Sequence, residues 1–444
     1  MANTHSAEAA EYFMTVWPDV FFWVFLSVLT FAVQGFAVLK YLRTSEPHPL
    51  SYQKLTAGLV VVFLILAAVG WISRPWRHQY PVLVWMRFAE YVQTFKDEWA
   101  TIEDERADEE KTAAAQLISA DTEPKTIVLM VGESITRDNL GLYGYSRNTT
   151  PKLTAFAKAN GDFRFIPDAW SADASTVAAF RSMFDFRVTG DGQEPTGNLF
   201  AFFKATGWHI TWISNQDNYA IKSEWMDYAD EQIVLNRLAG RSSKSMDDVV
   251  LAPLEKALRN KKDRQLIVVH MIGAHPHFML RHPDDMKPLW DDNDAVTQSL
   301  EAEGRSSFVQ MSRQHYDLTV LYQNQILEES LQLTKSLAGN SSSLWFFLSD
   351  HGVETGDRGD RTGHSQTTPG GYRIPVLMWA DSKTAQTLHF DRIPKQSFRS
   401  DWLSYTLLDA GGIRWKEKVL ARSVFRPDYL WQAPASKQRF EPTK

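Results

Sequence analysis

Three potential metal ligands follow two hydrophobic segments that lie far apart in the chain. Glu133 comes after the apolar segment 126–131, and Asp350 and His351 come after the apolar segment 344–348. Two carboxylates and an imidazole supply oxygen and nitrogen ligands of the kind that zinc accepts. Alone, Glu133 would be explained as an acid at a helix start, and Asp350 and His351 as a polar strand end. Together they favour a metal-dependent enzyme.

Serine and threonine hydroxyls are the candidates for a nucleophile, because the chain has no cysteine. The segment 170–184, WSADASTVAAFRSMF, predicts a polar loop that turns into a helix. The start of a helix presents backbone N–H groups to an anion, and a bound metal lowers the pKa of a coordinated hydroxyl. Position alone does not distinguish Ser171, Ser175 and Thr176, and any one of them is equally explained as an N-cap.

Apolar segments that alternate with helical patterns must position these residues. Strands are predicted at 126–131, 209–213, 265–271, 344–348 and 376–379, and helices at 251–258 and 316–333. Strands without polar alternation are buried on both faces, which predicts an α/β fold with a sheet between two layers of helices. Ligands bind at the carboxyl ends of the strands in such sheets, where Glu133, Asp350 and His351 are expected.

The composition is that of a large globular enzyme. The chain has 444 residues, of which 44% are hydrophobic, with 16 Trp and 26 Phe to build a core. A formal net charge of −6 without a concentrated basic stripe argues against nucleic-acid binding. Because the chain contains no cysteine, disulfides and thiolate metal sites are excluded.

Two uncharged segments near the N-terminus predict transmembrane helices. Residues 20–39 and 55–72 contain no charged side chain and approach the ~20 residues that cross a bilayer. Tryptophans flank both segments, and acidic residues before the first argue against a cleaved signal peptide. A buried hairpin is the alternative. The expected organisation is a membrane anchor at 1–73, a juxtamembrane helix and acidic linker at 74–124, and a catalytic domain at 125–444.

The loop between the two predicted spans indicates their orientation. It carries Lys40, Arg43 and Lys54 against Glu46, and basic loops of this kind stay in the cytoplasm. Two spans then bring the N-terminus and the catalytic domain to the opposite side, although basic residues also follow the second span. The catalytic domain is therefore expected in the periplasm or outside the cell.

A longer set of motifs resembles one enzyme family. Residues 132–153, GESITRDNLGLYGYSRNTTPKL, resemble the motif of membrane phosphoethanolamine transferases, a branch of the alkaline phosphatase and sulfatase superfamily. Further matches follow in the same order at 175–184, 212–216 (WISNQ), 270–275 (HMIGAH), 349–352 (SDHG), and His364 leading to IPVLMWA. The resemblance covers about 126–415 and implies a mixed, mostly parallel sheet of the alkaline phosphatase/sulfatase type, sandwiched by helices.

The resemblance also implies roles for six residues. The family's zinc ligands correspond to Glu133, Thr176, Asp350 and His351. Thr176 matches the family's nucleophile, which separates it from Ser171 and Ser175. His275 and His364 match histidines around the phosphoryl group, where they bind a second zinc, stabilise the oxyanion, or protonate the leaving alkoxide. One zinc ion is expected, and a second remains an alternative.

Five other residues have less specific interpretations. His270 is expected to be a packed core histidine, and His277 lies in the same loop as His275 without a motif match. Asn215 and Gln216 either line the pocket or form a structural turn. Many relatives continue directly from SDHG to glutamate, whereas this chain continues VET, which leaves the role of Glu354 open.

The implied reaction transfers phosphoethanolamine from phosphatidylethanolamine to an envelope acceptor through a phospho-threonine intermediate. The acceptor would be lipopolysaccharide or a periplasmic glycan, and the enzyme would lie in the bacterial inner membrane with its catalytic domain in the periplasm. Two spans are fewer than in typical relatives. The lack of cysteine, together with WISNQ, favours the branch that modifies lipopolysaccharide core or glucan over the lipid A branch.

Three other functions are compatible with parts of the pattern. A phosphoglycerol transferase of the same superfamily would use a similar threonine and metal with a different donor headgroup. A catalytically inactive module that binds envelope polysaccharide would be expected to lack a metal ligand, and none is missing. A sulfatase requires Cys or Ser in a C/S-x-P-x-R context, which the residues around Thr176 do not provide.

Overall fold

The computed structural model describes most of the chain beyond residue 105. The described residues are 106–186, 197–216, 224–236, 246–275, 277–339, 342–416 and 420–441, together with Phe25, Val28, Leu29, Ala32, Phe36 and Val61. The chain divides into two compact units, Met1–Asp104 and Glu105–Lys444. The predicted spans 20–39 and 55–72 lie outside the described residues except for those six positions. Within the part that is described, no helix has the length and apolar character needed to cross a membrane.

All the strands and helices named below belong to the unit Glu105–Lys444. The strands are β1 (Leu117–Ala120), β2 (Lys125–Gly132), β3 (Phe163–Phe165), β4 (Asp168–Trp170), β5 (His209–Ser214), β6 (Glu231–Val234), β7 (Arg264–His270), β8 (Ser342–Ser349), β9 (Glu354–Thr355), β10 (Thr362–Gly363), β11 (Val376–Ala380), β12 (Ser397–Arg399) and β13 (Ile413–Trp415). The helices are α1 (Pro151–Ala159), α2 (Thr176–Phe184), α3 (Leu199–Ala205), α4 (Leu251–Arg259), α5 (Ala295–Ala302), α6 (Ser307–Leu337), α7 (Ser382–Thr387), α8 (Leu403–Ala410) and α9 (Ala435–Phe440).

The main sheet has seven strands in the order β3-β11-β8-β2-β7-β5-β6. The strands β8, β2, β7, β5 and β6 are parallel, whereas β11 runs antiparallel to both of its neighbours, β8 and β3. This arrangement confirms the prediction of a mixed, mostly parallel sheet. Each of the five predicted strands lies in it, as β2, β5, β7, β8 and β11.

The strands β2, β7 and β8 are apolar between their ends because both faces of the sheet are covered. In β2, Ile127, Leu129 and Val131 belong to a core shared with α2, α3 and α8. The alternate residues Val128 and Met130 belong to a second core, shared with α1, α4 and α6. Successive side chains of a strand point to opposite faces, so a strand between two helical layers buries the side chains of both faces in apolar surroundings.

Three short strand pairs lie outside the main sheet. β1 pairs antiparallel with β13, β4 pairs parallel with β12, and β9 pairs antiparallel with β10. A helical segment at 106–116 precedes β1. The described part of the expected juxtamembrane segment, 106–124, therefore contributes a strand to the unit that contains the catalytic motifs.

Local sequence features determine where several of the helices begin. Pro151 occupies the first turn of α1, and the Asn198 side chain accepts hydrogen bonds from two backbone N–H groups of α3. Ser306 caps α6, whose 31 residues extend about 46 Å. The first half of this long helix carries Tyr316 and Asp317, which contact the loops that follow β2.

Candidate metal-dependent active site

The ends of β2 and β8 bring the two sequence motifs together. These strands are adjacent and parallel, and Gly132 is the register partner of Ser349. The next residues are Glu133 and Asp350, and the Asp350 N–H donates to the Gly132 carbonyl at 3.0 Å. Two carboxylates from distant segments therefore emerge side by side at the carboxyl edge of the sheet, where α/β folds bind ligands.

Each carboxylate accepts hydrogen bonds from its surroundings. Glu133 Oε2 accepts from the Thr176 hydroxyl at 3.0 Å, and Glu133 Oε1 accepts from the Ser134 hydroxyl at 2.8 Å. Asp350 Oδ1 accepts from the backbone N–H groups of Ser134 at 3.1 Å and His351 at 2.6 Å. These bonds fix the orientation of both carboxylates.

His351 faces both acids through one ring nitrogen. Its Nδ1 lies 2.7 Å from the Gly352 carbonyl oxygen, which can only accept, so Nδ1 carries a proton. Its Nε2 lies 3.4 Å from Glu133 Oε1 and 3.4 Å from Asp350 Oδ2. All three side chains are fully buried. The imidazole is therefore oriented by its backbone bond, as metal-binding histidines usually are.

The electrostatics of this cluster favour a positive charge at its centre. Burial and the neighbouring Glu133 carboxylate raise the pKa of Asp350 to about 7. Burial alone would lower the pKa of His351, but Asp350 and Glu133 outweigh it and raise that pKa to about 9. Two buried carboxylates repel each other, and a proton or a cation relieves that repulsion.

The buried atoms of this cluster fit a metal ion. Among the residues that the structure describes, Asp350 Oδ2 and His351 Nε2 have no hydrogen-bond partner although both are inaccessible to solvent. Buried polar atoms without partners are costly, and a bound cation would satisfy both. The donor set contains oxygen and nitrogen without thiolate, which suits zinc.

Thr176 differs from the other candidate nucleophiles. It is the first residue of α2, with Ser175 as an extended N-cap, and 8% of it remains exposed. The Ser171 hydroxyl is fully buried and donates to the Asp350 carbonyl at 2.6 Å. Ser175 lies half-buried at the cap. Of the three hydroxyls, that of Thr176 is the one bonded to the carboxylate of a metal-ligand candidate, at a helix start suited to a phosphoryl group.

The two predicted histidines lie beside the cluster. The His364 ring lies 4.8 Å from the His351 ring and 5.9 Å from the His275 ring, measured between centroids. Potential ligand atoms of Glu133, His351 and His364 all lie within 4.8 Å of one another. His275 is buried and His364 is exposed. The structure thus brings all six predicted residues to one edge of the sheet.

Asn215 and Gln216 make structural contacts rather than forming an open pocket wall. Asn215 Nδ2 donates to Asp247 Oδ1 at 2.9 Å, and Gln216 Nε2 donates to the Met271 carbonyl at 2.6 Å. Both side chains are buried. The Asn215 side chain thus ties the end of β5 to Asp247, and the Gln216 side chain ties it to the residue after β7, which agrees with the alternative of a structural turn.

The weaker histidine candidates are located differently from His275 and His364. His270 ends β7, is buried, and lies with its ring 4.6 Å from that of Phe180. It is therefore a core histidine, as expected. His277 is half-buried and has a left-handed backbone with φ 70°.

A buried aspartate that the sequence did not single out organises the turn after β7. Asp247 accepts from the N–H groups of Ile272 at 2.9 Å and Gly273 at 2.8 Å, and from the Gln323 side chain at 2.8 Å. Gly273 packs directly on the backbone of Glu133. The glycine in HMIGAH was the available signal for this close approach.

A second buried aspartate explains the length of the motif 132–153. Asp317 of α6 accepts hydrogen bonds from Asn139 at 2.8 Å, Tyr145 at 2.7 Å and Arg147 at 2.9 Å. All three donors belong to that motif, so its later residues fasten the loop after β2 to α6. Sequence alone offered no signal for this role of Asp317.

Glu354 lies next to the loop that leads to His364. Its register partner is Gly363, and its Oε1 accepts from the N–H groups of Gly356 at 3.0 Å and Arg358 at 3.1 Å. Glu354 therefore shapes the turn between β9 and β10, immediately before His364.

Comparison with known proteins gives a consistent result. A family model described as Sulfatase matches residues 125–413. Phosphoethanolamine transferase EptC of Escherichia coli K12 is 26% identical over 319 residues, which is 69% of this chain and 54% of that protein. Phosphoethanolamine transferase CptA of Salmonella typhimurium is 26% identical over 318 residues, again 69% of this chain and 54% of that protein. The chain thus spans about half the length of these curated relatives.

A solved structure matches the same region. The C-terminal periplasmic domain of EptC from Escherichia coli, in complex with zinc, superposes with a TM-score of 0.64 at 25% identity, covering 71% of this chain and 91% of that domain.

Proposed function

The chain belongs to the sulfatase family, and from that membership we propose that it is a phosphoethanolamine transferase that uses Thr176 as its nucleophile. Its curated relatives EptC and CptA are named for this activity. The family name does not imply sulfate-ester hydrolysis here, because Thr176 has no C/S-x-P-x-R context.

One observation carries the proposal. The Thr176 hydroxyl, at the N-terminus of α2, donates to Glu133 Oε2 at 3.0 Å, beside the buried atoms Asp350 Oδ2 and His351 Nε2, which make no hydrogen bond to the described residues. A hydroxyl is a weak nucleophile unless its proton is taken or its pKa lowered. This hydroxyl alone among the candidates combines a carboxylate partner with a position in the first turn of a helix.

Glu133, Asp350, His351 and the Thr176 hydroxyl would hold a zinc ion. The periplasmic domain of the relative EptC was solved in complex with zinc, which supports this choice of metal. When bound, zinc lowers the pKa of a ligated hydroxyl and neutralises charge on phosphoryl oxygens. His364 and His275 would complete the site by binding a second metal or by stabilising the phosphoryl group.

The reaction has two displacements at phosphorus. The Thr176 hydroxyl gives its proton to the Glu133 carboxylate that accepts its hydrogen bond, Thr176 Oγ1 forms a bond to the phosphorus of phosphatidylethanolamine, and the bond to the diacylglycerol oxygen breaks. His364 or His275 gives a proton to that leaving oxygen. A hydroxyl of the acceptor then attacks the phospho-threonine and gives its proton to the same histidine, while the released Thr176 oxygen takes its proton back from Glu133. The backbone N–H groups at the start of α2 stabilise the phosphoryl charge in both steps.

The acceptor is proposed to be lipopolysaccharide or a periplasmic glycan. Related proteins include a Kdo(2)-lipid A phosphoethanolamine 7''-transferase, which is 26% identical over 273 residues. An acceptor of this type is rich in hydroxyl groups and lies on the outer side of the inner membrane.

Membrane attachment completes the proposal. Residues 1–73 would anchor the protein in the inner membrane through spans at 20–39 and 55–72, with 74–124 connecting to a periplasmic catalytic domain at 125–444. The uncharged segments in the sequence support the anchor, and a lipid donor explains why the site would stay near a bilayer.

Intact-mass analysis of the full-length protein tests this proposal. The protein would be incubated with phosphatidylethanolamine and, separately, with phosphatidylglycerol. We expect an added phosphoethanolamine group that peptide mapping assigns to Thr176, with the Ser175→Ala variant labelled equally. Labelling only by phosphatidylglycerol would support the phosphoglycerol transferase alternative, and no labelling by either lipid would contradict the proposal.

A further inference from the structure

Ser134 connects the two carboxylates of the cluster. Its hydroxyl donates to Glu133 Oε1 at 2.8 Å, and its backbone N–H donates to Asp350 Oδ1 at 3.1 Å. Ser134 is fully buried. A single residue thus orients one oxygen on each of the two acids that follow β2 and β8.

The backbone of Ser134 is in an unfavourable conformation. Its φ is 58°, in the left-handed region that residues with a Cβ rarely adopt. Such a conformation persists only where surrounding contacts determine it, and it often marks a functional site. Two bonds depend on it, because rotation of φ or ψ would swing the Ser134 N–H and hydroxyl away from the carboxylates.

Tyr316 of α6 holds this backbone from both sides. Its hydroxyl donates to the Ser134 carbonyl at 3.1 Å and accepts from the Thr136 N–H at 2.8 Å. The phenol is fully buried. Ser349 adds a third contact, because its hydroxyl accepts from the Ile135 N–H at 2.9 Å.

We infer that Tyr316 and Ser134 are positioning residues for metal binding. Tyr316 keeps the Ser134 peptide left-handed, and Ser134 in turn holds the Glu133 and Asp350 carboxylates in the geometry that a zinc ion requires. The inference rests on the proposed function, since it concerns the proposed zinc ligands. Groups that orient metal ligands typically change metal affinity by about 10- to 100-fold when they are removed.

The aromatic ring of Tyr316 also contributes to packing, independently of its hydroxyl. The Tyr316 ring lies 4.9 Å from that of Phe278 in an edge-to-face arrangement. The substitution Tyr316→Phe keeps this contact and removes only the hydroxyl. Loss of zinc affinity in this variant would therefore report on the two hydrogen bonds.

Tyr322 provides a matched control on the same helix. It is also buried, and its hydroxyl likewise accepts from a backbone N–H, that of Asp248 at 3.1 Å, and donates to Asp248 Oδ1 at 2.9 Å. Tyr322→Phe thus loses the same number of hydrogen bonds, one accepted from a backbone N–H and one donated to an oxygen, and does not contact Ser134. A generally weakened fold would affect both variants alike.

Zinc affinity of the full-length protein in detergent would be measured by competition with a chromophoric chelator. Thermal unfolding of the metal-free form would be measured alongside. We expect Tyr316→Phe to weaken zinc binding about 10- to 100-fold and Tyr322→Phe to leave it unchanged, with similar losses of melting temperature for both. Equal zinc affinity in wild type and Tyr316→Phe would overturn this inference and leave the proposed function standing. A wild type that binds no zinc would overturn the proposed function as well.

Substitutions of Ser134 separate positioning from stability. Ser134→Ala and Ser134→Gly both remove the bond to Glu133, so both should weaken zinc binding. Glycine tolerates φ 58°, so the metal-free glycine variant should melt no lower than the alanine variant. Because Tyr316 acts through Ser134, Tyr316→Phe combined with Ser134→Ala should lose less affinity than the sum of the single changes. Full additivity would contradict the coupling.

Discussion

Gly273 lies against the backbone of Glu133 with no space for a side chain. A Cβ at Gly273 would lie 2.4 Å from the Glu133 carbonyl oxygen and 2.6 Å from its nitrogen. The next residue, Ala274, donates its N–H to that same carbonyl at 2.8 Å. The turn after β7 therefore determines the position of the first carboxylate of the cluster.

Gly273→Ala should damage both stability and metal binding. Gly273 has φ +55°, and the new methyl would meet backbone atoms that cannot move aside cheaply. Overpacking of this kind lowers the free energy of unfolding by about 1–3 kcal/mol, and the strain of alanine in a left-handed backbone lowers it further. Denaturant unfolding and zinc competition would measure the two losses.

Gly304→Ala is the matched control for that substitution. Gly304 also has a left-handed backbone, with φ +69°, but a Cβ there would meet no atom of the described residues within 4 Å. The Gly304→Ala variant should lose unfolding free energy because alanine is strained in a left-handed backbone, while its zinc affinity stays at the wild-type value. Equal effects of the two substitutions would mean that contact with Glu133 is unimportant.

Thr176→Ala should abolish transfer while the fold is retained. Alanine removes the oxygen that attacks phosphorus and also a proposed zinc ligand, so zinc content must be measured separately. Thr176→Ser should keep part of the activity. Serine lacks the γ-methyl that restricts χ1, and a displacement of ~1 Å can cost on the order of a hundredfold in rate.

A headgroup-labelled phosphatidylethanolamine assay would measure these rates, with Ser175→Ala as the neighbouring control. Ser175 lies one residue earlier and its side chain makes no capping hydrogen bond to α2. An adduct that persists in Thr176→Ala, or that maps to Ser171 or Ser175 in the wild type, would show that Thr176 is not the nucleophile.

Local sequence signals were sufficient for the main sheet. The predicted strand 126–131 lies within β2 and the predicted strand 344–348 within β8, because uninterrupted apolar runs have no other place than between helical layers. The strand ends then determined where Glu133, Asp350 and His351 emerge. The direction of β11 relative to its neighbours was harder to predict, because no pattern in 376–379 distinguishes an antiparallel strand from a parallel one.

The groups that support the site could not be predicted in the same way. Asp247, Tyr316 and Asp317 lie far in sequence from the loops that they bind, and each is an ordinary polar residue in its own segment. Their roles depend on non-local pairing: Asp247 with the turn after β7, Tyr316 with Ser134, Asp317 with the motif 132–153. The periodicity of hydrophobic residues, or a motif, within one segment carries no information about partners that lie elsewhere in the sequence.

Topology can be tested independently of catalysis. A reporter that is active only in the cytoplasm, fused after Lys444, should remain silent if the loop 40–54 is cytoplasmic and the catalytic domain is outside. The same reporter inserted in that loop should be active and provides the control. A strong signal from the C-terminal fusion would contradict both the topology and an envelope acceptor.

The stabilisation that zinc provides should increase with pH. In the metal-free protein, burial and Glu133 raise the pKa of Asp350 from 3.8 to about 7, and the two carboxylates raise the pKa of His351 from 6.5 to about 9 against the effect of burial. Both folded-state pKa values exceed the unfolded ones, so bound protons stabilise the metal-free fold. That contribution is complete in acid and is lost as the pH rises through about 7 and then about 9.

Zinc replaces those protons, because its ligands must be deprotonated. The shift in melting temperature on adding zinc, at a free zinc concentration set by a chelator buffer, should therefore grow between about pH 6 and about pH 9. Zinc binding near neutral pH should also release protons, which calorimetry in buffers of different ionisation enthalpy would count. Asp350→Asn removes one of the two acids and should flatten the dependence. A zinc-induced shift that is constant over this range, or larger in acid, would mean that Asp350 and His351 do not bind the metal.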